Sequence, residues 1–303
     1  MILLIFVLFS ILNSTMDAIN KNNLTPHLHK PHPFPYDLGI KIRPKNTDAG
    51  VMICIHGYGS SNHIADVIDS FKNIPDHIVG LNLPDHGIVP GVYDVHKSSF
   101  GTINEILPVL YVIKQCVIEA KLESINLYGF SAGGALIINL LSVLNTTTYD
   151  TQLAGIGISK TSKQKIKSAI EHGHIILECP MKSIDEIMDH RGHSKEFTVL
   201  AKRYKENTMR PIDVLTNEKF NVPIIVHFAQ PDDILGNRDD QLFIDRLRNA
   251  NTGKTEVVLG TERGHNMYHQ SLWNRYKEYT NHWKYHNIQL AAGTVADILR
   301  CRL

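Results

Sequence analysis

The stretch Gly129-Phe130-Ser131-Ala132-Gly133 decides the fold of this chain. A strand-like apolar run precedes it at residues 124–128, and a helix-like apolar run follows it at residues 135–141. A serine on a tight turn between a buried strand and a helix has a strained backbone, and the residues two positions away on either side must lack bulk. Glycine stands at both of these positions. The pattern therefore predicts a turn that presents Ser131 as a nucleophile.

The same turn predicts half of an oxyanion hole. It places the backbone N–H of Ala132 at a helix N-terminus, where unpaired donors and the positive end of the helix dipole stabilise an oxyanion. The alternative is a buried strand-to-helix turn in which Ser131 only caps the helix. Three further segments favour the first interpretation.

The first of these segments lies upstream. Val51–Ile55 is a continuous apolar run, typical of a strand buried on both faces of a parallel sheet, and it leads into His56-Gly57-Tyr58-Gly59-Ser60. The glycines allow a tight turn, so we expect the backbone amide of Tyr58 to point toward Ser131 and complete the oxyanion hole. The alternative is an ordinary glycine-containing loop.

The second segment supplies a candidate acid. A buried strand is predicted at residues 222–229, and Gln230-Pro231-Asp232-Asp233 follows it. An acid just past a strand end can hold a histidine in the correct tautomer. We prefer Asp232 because it is closer to the strand, with Asp233 as the other candidate. Both aspartates also suit an Asx-turn or a helix cap before residues 238–249.

The third segment supplies a candidate base. His265 follows a short predicted strand at residues 256–260 and precedes a helical pattern that begins near Met267. The sequence holds 17 histidines, so the weight of His265 comes from its position. Serine, acid and histidine occur in this order, each on the loop after a successive buried strand, which is the arrangement of one specific fold.

Residues 35–285 resemble the α/β-hydrolase family, and the closest likeness is to enzymes of the monoacylglycerol lipase, esterase and serine aminopeptidase type. Four motifs occur in the order of that family: His56-Gly57-Tyr58-Gly59, Leu83-Pro84-Asp85-His86-Gly87, the serine turn and Gly264-His265. The second motif usually contains Pro-Gly-His-Gly, and here Asp85 replaces its first glycine. The resemblance implies an α/β fold with a doubly wound, mostly parallel sheet and a small helical lid.

The resemblance also implies a role for each candidate residue. Ser131 is the nucleophile, Asp232 the acid and His265 the base of a catalytic triad. The backbone amides of Tyr58 and Ala132 are the oxyanion donors.

Composition agrees with one compact domain. The 303 residues are 43% hydrophobic, which is enough for one large core. The net charge is +1, from 31 basic and 30 acidic residues, so no strong field recruits nucleic acid or an anionic membrane. Neither the four cysteines nor pairs such as His172 and His174 have the spacing of a metal site. We therefore predict no cofactor and no metal.

The N-terminus predicts export. Residues 1–12 form an apolar run with the length of a signal-peptide core, too short to span a bilayer. We assign residues 1–18 to a possible signal peptide, cleaved near Ser14 or Ala18, which implies a periplasmic or secreted protein. The alternative is a start at Met16 and a cytoplasmic protein. The polar, proline-rich residues 19–35 are interpreted as a linker.

The rest of the chain alternates strand and helix patterns. Strands are expected near residues 36–42, 51–56, 77–83, 124–129, 153–158, 222–229 and 255–260. Helices are expected near residues 61–72, 102–121, 132–145, 238–249 and 267–286. The core is assigned to residues 36–160 and 217–303.

The predicted lid is a helical insertion at residues 161–216, with candidate helices at 162–172, 182–190 and 194–206. Lysines, acids and histidines outnumber its bulky apolar residues, so a soluble substrate is favoured over a lipid surface.

These patterns predict a serine hydrolase that cleaves a carboxylic ester, with thioesters or amides as related options. Its partner is a small-molecule acyl substrate, and its oligomeric state is left open. The alternative is a catalytically inactive binding protein that retains the fold.

Overall fold

The computed structural model describes residues 28, 32–43, 50–70, 76–84, 102–183, 185–186, 198, 202, 210–260, 264–265, 272–274 and 276. The predicted signal peptide, most of the linker, residues 85–87 of the second motif and most of the helix expected at 267–286 lie outside this part of the chain.

Seven strands form one mostly parallel sheet, which confirms the predicted fold class. They are β1 (Lys41–Arg43), β2 (Val51–Ile55), β3 (His77–Gly80), β4 (Asn126–Phe130), β5 (Ile175–Glu178), β6 (Ile224–Ala229) and β7 (Thr255–Gly260). Their order in the sheet is β1-β3-β2-β4-β5-β6-β7, and only β1 runs antiparallel to its neighbour. The carboxyl ends of β2, β4, β5, β6 and β7 therefore lie along one edge of the sheet.

The described helices connect these strands. They are α1 (Ile64–Ser70), α2 (Ile103–Lys114), α3 (Ala132–Asn145), α4 (Asp150–Gly155), α5 (Lys160–Glu171), α6 (Pro211–Asn217) and α7 (Asp240–Ala250). A π-helical turn at Gln115–Glu119 continues α2. None of them is long and apolar enough to cross a membrane.

The sheet separates two apolar clusters because successive side chains of a strand point to opposite faces. Ile53 and Ile55 of β2 pack into the larger cluster, which includes buried residues of α2, α3 and α5. Met52 and Cys54 pack on the other face, in a cluster that includes Trp273. Strands covered on both faces need continuous apolar sequence, and this explains why β2 is buried at every position.

One predicted strand is wrong. Residues 153–158 do not form a strand, because Asp150–Gly155 is helix α4 and the chain then turns. Gly157, at φ 74°, follows the helix, and the N–H groups of Gly157 and Ile158 donate to the carbonyls of Ala154 and Leu153. This is the hydrogen-bond pattern of a glycine-terminated helix.

The predicted lid begins too early in the sequence. Residues 160–178 contain α5, which packs against the π-helical turn and α3, and β5, which lies in the middle of the sheet. This part of the interval 161–216 therefore belongs to the core. The structure describes residues 182, 183, 185 and 186 of the candidate helix at 182–190 and residues 198 and 202 of the one at 194–206, and the rest of both lies outside the described residues.

Candidate active site

Ser131 lies at the sharp turn between β4 and α3. Its backbone has φ 54° and ψ −117°, a conformation that L-residues rarely adopt. The flanking glycines are required by close backbone contacts. A Cβ atom at Gly133 would lie 2.2 Å from the carbonyl oxygen of Ile55, and one at Gly129 would lie 2.6 Å from the carbonyl oxygen of Gly133.

Hydrogen bonds hold the backbone of Ser131 through both its N–H and its carbonyl group. Its N–H donates to the carbonyl of Glu178 at 3.0 Å, and its carbonyl accepts from the N–H of Met181 at 3.1 Å. Ser131 occupies the N-cap position of α3, but its hydroxyl makes no capping hydrogen bond to the helix. Ala132 is the first residue of α3, and its N–H has no acceptor within the helix.

The loop after β2 lies against this turn. A Cβ atom at Gly57 would lie 3.0 Å from Cδ1 of Phe130 and 3.2 Å from the Cβ of Ser131, so the loop after β2 packs tightly against the serine turn. Tyr58 lies in the tight turn closed by the Ser60 N–H to Gly57 carbonyl bond of 3.2 Å. The ring of buried His56 holds the loop, because Nδ1 donates to the Gly57 carbonyl and Nε2 accepts from the N–H of Leu83.

Asp232 and His265 form a hydrogen-bonded pair. Asp232 follows β6 and His265 follows β7, and their Oδ2 and Nδ1 atoms lie 2.8 Å apart. The second carboxylate oxygen accepts from the N–H groups of Ile234 and Leu235 at 2.9 and 2.8 Å. Asp232 therefore forms the Asx-turn that the sequence allowed and also contacts the histidine ring. Asp233 accepts instead from the backbone N–H of His265, at 2.6 Å.

The environment of Asp232 keeps it ionised. Burial raises the pKa of its carboxyl group. The hydrogen bond and charge of His265 and the two backbone N–H donors lower this pKa by a larger amount. The net effect is a pKa below the usual carboxyl value. A carboxylate in this state stabilises a positively charged imidazole.

Ser131 follows β4 and His265 follows β7, so both residues lie at the carboxyl edge of the same parallel sheet. The ring of Phe130, the residue before the serine, lies 4.9 Å from the His265 ring, centroid to centroid. The Ser131 hydroxyl forms no hydrogen bond with the residues that the structure describes. The structure thus brings the predicted residues to one edge, and their catalytic roles stay predictions.

Asn237 is a supporting residue that the sequence analysis missed. Its Oδ1 accepts from the N–H of Asp232 at 3.1 Å, and its Nδ2 donates to the carbonyl of Ala229 and to Asp240 Oδ2, each at 2.8 Å. Asp240 in turn accepts from the buried ammonium of Lys182 at 2.5 Å. This network fixes the loop that carries the candidate acid. An asparagine five residues after an acid has no sequence signal that distinguishes this role from an ordinary turn.

Cys179 is the second residue that the sequence analysis missed. It directly follows β5, has φ 46°, and its buried thiol lies close to Asp232 and His265. Burial, and then the charges of Glu178 and Asp232, raise the pKa of the thiol. The signal that could have located it is the apolar run Ile175-Ile176-Leu177, a short buried strand that ends beside the site.

Comparisons with solved structures identify the fold. Est1E from Butyrivibrio proteoclasticus, described with ferulic acid bound, is 15% identical over 81% of this chain and 94% of its own, with a TM-score of 0.56. Est2, an esterase from Thermogutta terrifontis, is 16% identical over 82% and 89%, with a TM-score of 0.53. The acylaminoacyl peptidase of Pyrococcus horikoshii is 13% identical over 84% of this chain and 40% of its own, with a TM-score of 0.55.

The chain therefore has the α/β-hydrolase fold. No protein-family profile matches its sequence. No curated protein matches it significantly in sequence.

Proposed function

We propose that the protein is a serine hydrolase that cleaves carboxylic esters of small soluble substrates through an acyl-enzyme intermediate. The observation that carries the proposal is the Asp232–His265 pair of 2.8 Å at the same sheet edge as the strained Ser131. A serine turn of this geometry needs a base to activate its hydroxyl, and a carboxylate-held imidazole is the usual one.

In the proposed reaction, His265 accepts the proton of Ser131 as the hydroxyl attacks the substrate carbonyl carbon. Asp232 holds the imidazole with Nδ1 protonated and stabilises the imidazolium that forms. The N–H groups of Ala132 and Tyr58 donate to the developing oxyanion. His265 then protonates the leaving alkoxide, and water, deprotonated by the same imidazole, releases the acid and restores Ser131.

The experiment that tests the proposal compares three proteins: the parent, Ser131→Ala and Ser124→Ala. Ser124 is an exposed serine before β4 and serves as the matched control. We expect Ser131→Ala to lower kcat on p-nitrophenyl butyrate by about 10⁴ to 10⁶ fold and to abolish labelling by a fluorophosphonate. Ser124→Ala should behave as the parent. Labelling that persists in Ser131→Ala would assign the nucleophile elsewhere, and a parent protein that never labels would favour the binding-protein alternative.

The substrate class rests on the polar sequence predicted for the lid. A lid without a broad apolar face does not open on a lipid surface. We therefore expect kcat/KM on p-nitrophenyl acetate or butyrate to exceed that on palmitate, with no rise in rate at the solubility limit of the substrate. A sharp rise at the emulsion boundary would contradict this part of the proposal.

A further inference from the structure

Three side chains with different donor atoms, one of them the candidate base, lie close together at the sheet edge. The Sγ of Cys179, a carboxylate oxygen of Asp232 and a ring nitrogen of His265 all lie within 4.8 Å of one another. They follow the neighbouring strands β5, β6 and β7, so the parallel sheet itself brings them together. We call these three residues the Cys179 cluster. Thiolate, imidazole and carboxylate are the ligands that Zn²⁺ takes in proteins.

Each member of the cluster is held in place by its own hydrogen bonds. The N–H of Cys179 donates to the carbonyl of His227 at 2.9 Å. Asp232 is fixed through its other oxygen by two backbone N–H groups, and His265 is fixed through its own N–H by Asp233. Metal–ligand bonds of about 2.0 to 2.3 Å in a tetrahedron place ligand atoms about 3.3 to 3.8 Å apart. Metal binding therefore needs side-chain rotations that bring the widest pair about 1 Å closer and that separate Asp232 Oδ2 from His265 Nδ1, which lie 2.8 Å apart in their hydrogen bond.

We propose that the Cys179 cluster binds a thiophilic divalent cation of the Zn²⁺ class, and that the bound cation inhibits hydrolysis. The inhibitory part rests on the proposed function, whereas the binding part does not. Charge favours the site, since one thiolate and one carboxylate neutralise the two positive charges of the ion.

Inhibition follows from the tautomer that the cation imposes. On binding, the thiol proton leaves to solvent and the sulfur bonds to the metal, while Nδ1 of His265 exchanges its hydrogen bond to Asp232 for a metal bond. The remaining ring proton then sits on Nε2. A general base needs its lone pair on Nε2, so His265 can no longer accept the proton of Ser131.

Binding is tested with Co²⁺, because Zn²⁺ has a filled d shell and gives no absorption of its own. We expect the full-length parent protein to bind one equivalent of Co²⁺ with a thiolate-to-cobalt charge-transfer band, and Zn²⁺ to displace it. Absence of that band in the folded parent protein would overturn the site.

Two cysteine variants then assign the sulfur. Cys179→Ala should lose the band and bind Zn²⁺ more than about 100-fold more weakly, since loss of an outer-sphere group alone costs about 10 to 100 fold. Cys116→Ala is the matched control, because Cys116 is also a buried free thiol but lies in the apolar core beyond α2. Cys179→Ser replaces the alanine variant if circular dichroism shows that the latter does not fold. A band that survives in a folded Cys179 variant would contradict the assignment.

The inhibitory part has its own readout. Saturating Zn²⁺ should slow fluorophosphonate labelling of Ser131 by more than about 100-fold in the parent and in Cys116→Ala, and should leave labelling of Cys179→Ala within a few-fold of its metal-free rate. Equal labelling of the parent with and without bound Zn²⁺ would overturn inhibition. If the metal-free parent does not label at all, the proposed function fails, and the cobalt band still decides whether the site exists.

Discussion

Asp232 uses its two carboxylate oxygens for two different tasks. One oxygen closes the local turn through backbone N–H groups, and the other contacts the ring of His265. Asp233 contacts the backbone of the same histidine, so it positions the loop but not the ring. The adjacent aspartates are therefore not equivalent, although the sequence alone allows either as the acid.

Separate asparagine substitutions measure this difference. We expect Asp232→Asn to lower kcat by about 10⁴ fold, because an amide in place of the carboxylate favours the wrong imidazole tautomer. Asp233→Asn keeps an oxygen that can accept from the His265 N–H, and we expect its kcat to stay within about tenfold of the parent value. The measurement is the steady-state rate on a p-nitrophenyl ester. A larger loss in Asp233→Asn than in Asp232→Asn would reverse the assignment.

Single residues can be predicted from the sequence when their side chains are reactive and their order along the chain is one that few folds share. Ser131 and His265 were predicted because each follows an apolar run, in an order that few folds share. Cys179 and Asn237 were missed because their contacts are made across the sheet edge and within an irregular loop. Distance along the chain carries no information about such contacts.

The turn between β4 and α3 is possible only because the backbones of β2, β4 and α3 approach one another closely at Gly129 and Gly133. α3 begins beneath the end of β2, and the carbonyl oxygen of Ile55 occupies the space where a Cβ of residue 133 would lie. Neither element can move away, since β2 pairs with β4, the central strand of the sheet, and α3 packs in the core. The glycine is therefore a structural requirement as well as part of a motif.

Gly133→Ala should destabilise the protein by at least about 3 kcal/mol, the upper end of the usual cost of overpacking. Gly155→Ala is the control, because nothing lies within 4 Å of its added Cβ and Gly155 is a helical residue of α4. We expect Gly155→Ala to raise stability by about 0.5 to 1 kcal/mol. Urea unfolding of both variants is the measurement. Equal stability of Gly133→Ala and the parent would mean that the turn can relax.

Strands that are continuous apolar runs with turn residues after them were predicted well, and short elements were not. Strand β2 is an apolar run of five residues and β6 is a mostly apolar run of six, and turn residues follow each of them. β5 has only four residues, between His174 and Cys179. The strand expected at 153–158 is instead the end of helix α4 and a turn, and a short apolar run of this kind does not by itself distinguish strand from helix.

For the whole molecule, buried titratable groups set the acid limit of stability. His174, next to β5, is buried and its ring packs edge-on against the ring of Tyr276. Burial lowers the pKa of His174 from 6.5 to about 4. The unfolded chain therefore binds a proton at this residue between these two pH values, and the folded chain does not. Stability falls as pH is lowered through this interval.

The loss attributable to His174 is up to about 3 kcal/mol between pH 7 and pH 4, at 1.36 kcal/mol per pKa unit. We expect His174→Gln to lose correspondingly less stability over this range. His172→Gln, at an exposed histidine two residues earlier, should keep the pH dependence of the parent. The free energy of unfolding in urea at several pH values is the measurement. An unchanged slope in His174→Gln would show that other groups set the acid limit.

The positive φ of Ser131 implies a local conflict between the stability of the fold and the presence of a serine at this position. A non-glycine residue held there costs about 1 to 3 kcal/mol, and a glycine would relieve that strain for an entropic penalty of about 0.5 to 1 kcal/mol. A scaffold selected for persistence alone would gain by placing glycine at this position. The chain instead keeps a serine with a strained backbone at the end of β4, and local conflicts of this kind are typical of functional sites.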